Sequence, residues 1–248
     1  MNGRFHRIRG RGILWLTLLT LGLAAAGCRR SGPETTPPSP PRDLTDFPPV
    51  ESVPGAALER LRPVALERGR RIAAEAFTVL SGELRRALEA GGFTNAIRLC
   101  SVKALPLTRL VGDTNQVRLR RVSHRARNPA NQADTEELRI IECYQEMLAE
   151  GVTNLAPVVV QPATNRITFY APIVLNNPLC LACHGEPGST LLPQAAELLP
   201  QLYPEDRATG FRLGDLRGLW RIDFTPESLT NASPAGAEFP AAAASPGN

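Results

Sequence analysis

Apolar residues recur every three to four positions in the first half of the chain, and this period predicts helices. The first such stretch covers residues 64–88, with Pro63 suited to a first helical turn and Gly91-Gly92 to a stop. A second helix is predicted from Thr94 and should be interrupted at Pro106, because proline lacks an N–H and clashes with the preceding turn. Both apolar stripes are expected to face a core.

Two further helices are predicted in the second half of the chain. Asp134 and Glu137 have the spacing of a capping box, so a helix should begin there. It is expected to run to Glu150 and to end at Gly151. The last predicted helix covers residues 191–199.

Strands are predicted where apolar and polar residues alternate or where β-branched residues cluster. Residues 116–122 are one such stretch, and residues 155–160 and 166–171 flank a turn-like segment, which predicts a hairpin. In residues 217–224 the alternation predicts a strand with one buried face. This order of elements indicates an α+β domain, an antiparallel sheet with helices packed on one face or end.

A short cysteine motif follows the hairpin and reads Cys180-Leu181-Ala182-Cys183-His184-Gly185. The spacing C-x-x-C-H is the attachment signature of a c-type haem, because two thiols can bond the porphyrin while the adjacent imidazole reaches the iron. A zinc half-site and a redox dithiol remain as alternatives. The motif therefore predicts one covalent haem c, with Cys180 and Cys183 as the thioether residues and His184 as an iron ligand.

The N-terminal residues have the pattern of an export signal. Arginines without any acidic residue precede an apolar run over residues 13–26, which is too short and wrongly flanked for a membrane span. The ending Ala25-Ala26-Gly27-Cys28 resembles a bacterial lipobox, in which Cys28 would be lipidated; ordinary cleavage is the alternative. Residues 1–28 therefore predict a periplasmic or extracytoplasmic, membrane-anchored lipoprotein, and this compartment favours haem c over cytosolic zinc.

Composition divides the rest of the chain. Residues 29–52 are proline-rich and typical of an extended spacer, and residues 229–248 are predicted to be a disordered tail of low complexity. Residues 53–228 then make one domain of ordinary size. The 4 arginines of residues 1–28 account for the whole excess of 28 basic over 24 acidic residues, so the mature chain is formally neutral and gives no argument for nucleic-acid binding.

Several other residues are candidates for a haem site. Cys100 lies on the apolar face of the second predicted helix and is either a small core residue or a sulfur ligand. His124 and Met147 are further ligand candidates, with surface and core roles as their alternatives. Arg127 and Asn128 are predicted to bond the haem propionates or rim, since guanidinium groups match carboxylate geometry; the alternative is a loop that folds on its own side chains.

Four stretches of the chain occur together in the order seen in a known family. They are Ala96-Ile97-Arg98-Leu99-Cys100, Arg127-Asn128-Pro129-Ala130-Asn131, Tyr170-Ala171-Pro172-Ile173 before the cysteine motif, and Tyr203-Pro204-x-Asp206-x-Ala208-x-Gly210-Phe211-x-x-Gly214-Asp215-x-Arg217-Gly218. They resemble the c-type haem family of PAS-like domains, which also occurs as the sensor region of histidine kinases and chemoreceptors. The resemblance implies a PAS-like sheet with N-terminal helices packed against it. It also implies His184 as the proximal iron ligand and the Cys100 sulfur as the second axial ligand.

These features predict an exported, membrane-tethered monohaem c-type cytochrome that acts as a redox or small-ligand sensor through a His/Cys-ligated haem. A low-potential one-electron carrier is the alternative, and a zinc or dithiol protein without haem is a further one. Two protein ligands leave no open position for a substrate, so an enzyme is not predicted. The sequence shows no kinase or signalling module, and a redox or signalling protein of unknown identity is the expected partner.

Overall fold

The computed structural model describes residues 55–163 and 166–230. The predicted signal segment 1–28 with Cys28, the predicted spacer 29–52 and most of the predicted tail 229–248 lie outside the described residues. No helix within the described ranges is both long enough and apolar enough to cross a bilayer.

The first helix, α1, spans Gly55–Thr114 and has two arms joined by a break at Gly91-Gly92, where a stop is predicted. The second of these glycines has a φ of 65°, which costs glycine little. Pro106 does not interrupt the second arm, and Pro63 lies inside the first arm and not in a first turn, so both proline predictions are wrong. Pro106 is tolerated because the carbonyl four residues earlier belongs to Val102, whose 67% exposure lets water replace the lost hydrogen bond.

In the described part of the chain, four strands form one antiparallel sheet in the order β1-β4-β3-β2. Their bounds are Arg118–Val122 for β1, Val158–Ala163 for β2, Arg166–Val174 for β3 and Leu216–Phe224 for β4. The strands β2 and β3 pair antiparallel, which confirms the predicted hairpin. The sheet and the helices around it confirm the α+β class.

The shorter helices are α2 at Thr135–Ala149, α3 at Pro178–His184, α4 at Pro193–Leu202 and α5 at Pro226–Thr230. The start of α2 is confirmed in detail: the Asp134 side chain accepts a hydrogen bond from the Glu137 N–H, and the Glu137 carboxylate accepts one from the Asp134 N–H. The helix α5 continues past the predicted domain boundary at residue 228, because Leu229 is buried in the core.

The strand β4 is buried on both faces, although its alternation predicts only one buried face. Trp220 and Ile222 pack in the same hydrophobic cluster as α1, whereas Leu219 packs with α2. Helices therefore cover both faces of the sheet, whereas the sequence predicts helices on one face or end. The pattern misleads because Arg221 and Asp223 occupy the second face and pair there, with Arg221 Nε 3.1 Å from Asp223 Oδ1.

A buried ion pair joins α2 to β4. Glu137 is fully buried, and Arg221 Nη1 donates to Glu137 Oε1 at 2.6 Å. Removing the carboxylate would leave the buried guanidinium without this partner, so we expect Glu137→Ala to lower the free energy of unfolding by about 3–5 kcal/mol. Denaturant unfolding checks this, with Glu142→Ala on the exposed side of α2 as the control. An equal effect of the two substitutions would contradict a special role for the pair.

Candidate functional site

A cavity opens between α1, the sheet and α3, and its volume is about 280 Å³. Ligand pockets commonly measure about 300–1,000 Å³, so this cavity is close to the lower end of the usual size range. Much of its wall is apolar, with side chains such as Phe77, Leu84 and Leu88 from the first arm of α1 and Phe93 from the second. The cavity therefore suits a largely apolar ligand.

The structure brings five of the predicted site residues into this wall. They are Cys100, Arg127, Cys180, Cys183 and His184. These residues come from α1, from the loop after β1 and from α3, which are far apart in the sequence. Thiol, imidazole and guanidinium groups thus line one cavity.

The other candidates lie elsewhere. Asn128 caps a short 3-10 helix, since its Oδ1 accepts a hydrogen bond from the Ala130 N–H at 2.9 Å. This placement favours the alternative of a loop that folds on its own side chains. His124 contacts the Phe211 ring edge-on outside the cavity wall, and Met147 packs in the hydrophobic cluster between α2 and the sheet.

The cysteine motif forms the short helix α3. Its start is set by Asn177, whose Oδ1 accepts a hydrogen bond from the Leu179 N–H at 2.9 Å. Cys180 and Cys183 are three residues apart and therefore lie on the same side of the helix, where both contribute to the cavity wall. Gly185 follows because a β-carbon there would lie 2.5 Å from the Leu181 carbonyl oxygen. A helix of this kind can hold one ligand through two sulfur atoms.

His184 is held in a single orientation at the end of α3. Its Nδ1 lies 2.8 Å from the carbonyl oxygen of Ala208, which only accepts, so Nδ1 carries the proton and Nε2 keeps a free lone pair. Burial, followed by the guanidinium groups of Arg217 and Arg127, holds the pKa of His184 well below its usual range. Metal-ligating histidines commonly have this arrangement, a neutral ring fixed through its other nitrogen.

Arg127 ties the loop around Ala208 to the cysteine motif. Its Nε donates to Asp206 Oδ2 at 3.1 Å, and its Nη2 donates to the carbonyl oxygens of Cys183 at 2.5 Å and Ala208 at 3.2 Å. Asp206 Oδ1 in turn accepts a hydrogen bond from the Ala208 N–H at 2.7 Å. Arg127 therefore supports the carbonyl that orients His184, and its guanidinium is already engaged with protein atoms.

Cys100 lies on the second arm of α1 with its side chain partly buried in the cavity wall. Burial raises the pKa of the Cys100 thiol, while the guanidinium groups of Arg121 and Arg127 act in the opposite direction. In the absence of a metal this sulfur is a protonated thiol near neutral pH. A bound metal ion would favour the thiolate, since thiolates are the form that coordinates metals.

Two arginines of the cavity wall are not among the residues that the sequence predicts for the site, namely Arg121 on β1 and Arg217 on β4. A signal for Arg121 was present, because the period of β1 places it on the same face as the buried Leu119. Arg217 occurs in the family-like stretch at residues 203–218, but no role was assigned to it there. Arginine is usually a surface residue, so the pattern alone does not indicate that either side chain faces a cavity.

The structure gives little support to the two alternatives to haem, a redox dithiol and a zinc site. A redox dithiol works through a thiolate. Burial raises the pKa of the Cys183 thiol to about 11, with smaller contributions from Cys100 and Cys180, and the guanidinium of Arg127 offsets only part of this rise. A structural zinc ion takes four protein ligands. Among the residues that the structure describes, no three His, Cys, Asp or Glu side chains are grouped so as to hold a metal ion.

Comparisons with known proteins agree with this architecture. The solved structure of the cyanobacterial heme-protein Tll0287 is similar over 66% of this chain and 96% of that chain, with 20% sequence identity and a TM-score of 0.50. This likeness supports the fold. A comparison with curated proteins found no match. The family model of Tll0287-like proteins matches residues 52–225, well over half of the sequence, and the chain therefore belongs to the Tll0287-like family.

Proposed function

We propose that this protein is a c-type haem protein that carries one haem, joined by thioether bonds to Cys180 and Cys183 and ligated by His184 Nε2. The observation that carries the proposal is the placement of both thiols and the fixed, neutral imidazole on one short helix in the wall of a largely apolar cavity. The similar solved structure is described as that of a heme-protein, which supports the same cofactor.

The remaining walls of the cavity fit this cofactor. A porphyrin needs an apolar slot, which the arms of α1 supply through residues such as Leu84 and Phe93. Its carboxylate side chains need cationic partners, and the Nε atoms of Arg121 and Arg217 are buried without a hydrogen-bond partner. A bound haem would supply one-electron redox chemistry and, on exchange of an axial ligand, binding of small gases.

Cys100 is the proposed second iron ligand. It is the sulfur-bearing side chain that the second arm of α1 contributes to the same cavity wall as His184. The other ligand candidates, His124 and Met147, do not line that wall. Ligation by a thiolate stabilises ferric iron, so we expect a low reduction potential.

A sensor is the function that this ligation favours. Cys100 lies beyond the break at Gly91-Gly92, where the helical geometry of α1 is interrupted. Loss of the iron–sulfur bond would release the second arm of α1 from the haem, and a partner protein could recognise the change. The alternative, a low-potential electron carrier, requires that ligation and structure stay the same in both redox states.

The first test is an absorption spectrum of protein made with an active haem-maturation pathway, taken before and after extraction with acidified acetone. We expect a reducible haem band that stays with the polypeptide, and a colourless polypeptide after extraction would contradict the proposal. Exchange with CO or NO separates the two functions of the loaded protein. Slow exchange with a change in helix content supports a sensor, whereas fast reversible redox with constant ligation supports a carrier.

A further inference from the structure

Two guanidinium groups line the cavity without a carboxylate partner. Arg121 and Arg217 both contribute to its wall. The neighbouring arginines do form ion pairs. Arg120 pairs with Glu137, Arg127 with Asp206, and Arg221 with Glu137, Asp134 and Asp223. Among the described residues, neither Arg121 nor Arg217 has a carboxylate oxygen within 4.0 Å of its guanidinium nitrogens.

Burial of the two guanidinium charges is energetically unfavourable. The Nε atom of each guanidinium is buried and has no hydrogen-bond partner. Arg217 Nη1 reaches only neutral acceptors, Ser123 Oγ at 2.8 Å and the Arg125 carbonyl oxygen at 3.2 Å. Burial, followed by Arg127 and Arg121, lowers the pKa of Arg217 to about 9, and burial also lowers the pKa of Arg121. Arginine stays protonated in proteins, and a buried charge is normally paired with an opposite charge. Arg121 and Arg217 have no such anionic partner among the described residues.

Aromatic rings fix the positions of both side chains. The Arg121 guanidinium carbon lies 6.0 Å from the centre of the Trp220 ring, and the Arg217 guanidinium carbon lies 5.4 Å from the centre of the Phe211 ring. Cation–π contacts at these distances favour the observed positions of the guanidinium groups and do not use their N–H groups. The guanidinium groups of Arg121 and Arg217 are therefore in position at the cavity wall before a ligand binds.

Arg127, which with Asn128 is predicted from the sequence to bond the haem propionates or rim, makes other contacts in the structure. It is paired with Asp206 and donates to the carbonyl oxygen of Cys183, a thioether residue. The carboxylate and vinyl-derived substituents occupy different edges of a haem. The Arg127 guanidinium binds the backbone of a proposed thioether residue, so it lies at the edge of the haem that carries the vinyl-derived groups. It is therefore not available to a haem carboxylate.

We propose that Arg121 and Arg217 bind the carboxylate side chains of the haem and select a macrocycle that carries carboxylates. This inference rests on the proposed haem. Guanidinium groups match carboxylates through parallel N–H donors, so each arginine can exchange its unpartnered Nε for a charge-assisted hydrogen bond. The ligand then supplies the negative charge that the cavity wall lacks.

The inference is tested on the haem-loaded protein by measuring the reduction potential as a function of pH. An opposite charge close to a carboxylate lowers its pKa by about 1–3 units. We therefore expect Arg121→Gln and Arg217→Gln each to raise the apparent pKa of the proton-linked step by about one unit or more, a tenfold change in proton affinity. The matching lysine variants should recover part of this shift. Arg118→Gln, an equal charge change at an exposed position of the same strand, should leave it unchanged.

A crystal structure of the unmodified haem-loaded protein makes the test independent of variant folding. We expect a haem carboxylate oxygen within hydrogen-bond distance of each guanidinium. Carboxylates that point into solvent, or glutamine variants that titrate like Arg118→Gln, would overturn the inference and leave the proposed haem intact. A wild-type protein without covalent haem would remove the proposed function, and the inference with it.

Discussion

Replacing both Cys180 and Cys183 with serine is expected to yield a protein from which acidified acetone removes all of its haem. The two sulfur atoms lie on one side of α3 in the cavity wall, and no thioether bond can form without them. Each single replacement should keep one covalent link and shift the reduced absorption band, because one vinyl group stays unsaturated. Spectra of the extracted polypeptide and of the acetone phase measure both effects.

Cys143→Ser is the matched control for these variants. Cys143 lies on α2 and does not contribute to the cavity wall. The control should retain its haem as the wild-type protein does. Full retention of haem by the double serine variant would show that the attachment lies elsewhere in the chain.

Cys100→Ala is expected to change the ferric absorption spectrum and to raise the reduction potential. A Cys100 thiolate on the iron would stabilise the ferric state, so its loss would favour reduction. Axial ligands set haem potentials over about 0.8 V, and we expect at least a tenfold increase in the equilibrium constant for reduction, which corresponds to about 59 mV or more for one electron. Spectra and potentiometric titration of the loaded variant, with Cys143→Ala as control, provide the measurement.

An unchanged ferric spectrum in Cys100→Ala would remove the sulfur from the iron site. His124 or Met147 would then have to move into the cavity, or the sixth position would be open. The structure makes such a movement costly for Met147, which packs in the cluster between α2 and the sheet. His124 is half-buried against Phe211, so a smaller displacement would suffice there.

Local features of the sequence predict the local structure well. The capping box at Asp134 and Glu137 begins α2 as expected, because both hydrogen bonds are made within one helical turn. The break at Gly91-Gly92 and the hairpin of β2 and β3 also depend on nearby residues alone. The cysteine motif is also a local feature, since its six residues are consecutive.

Long-range contacts account for the predictions that differ from the structure. Whether Pro106 breaks a helix depends on whether water can reach the carbonyl of Val102, and exposure is a property of the fold. The second buried face of β4 holds Arg221, whose charge suggests solvent until its partner Glu137 on α2 is known. The same limit hides Arg121, which is polar in sequence and faces a cavity in the structure.

The candidate site depends on both local sequence features and long-range contacts. Cys180, Cys183 and His184 are identified by their spacing, and the structure places them together in the cavity wall. The helical pattern leaves Cys100 open between a core residue and a sulfur ligand, and the family resemblance connects it with the motif, about 80 residues away. The engagement of Arg127 with Asp206 could be seen only in the folded chain.

The most direct measurement of the central claim is the intact mass of the denatured wild-type protein, made with an active haem-maturation pathway. The Cys180→Ser/Cys183→Ser double variant is measured beside it, so that N-terminal processing cancels. We predict that, after correction for the two cysteine-to-serine changes, the wild-type polypeptide is heavier by the mass of one haem. Equal corrected masses would contradict covalent attachment at these cysteines and would end the case for a c-type haem in this cavity.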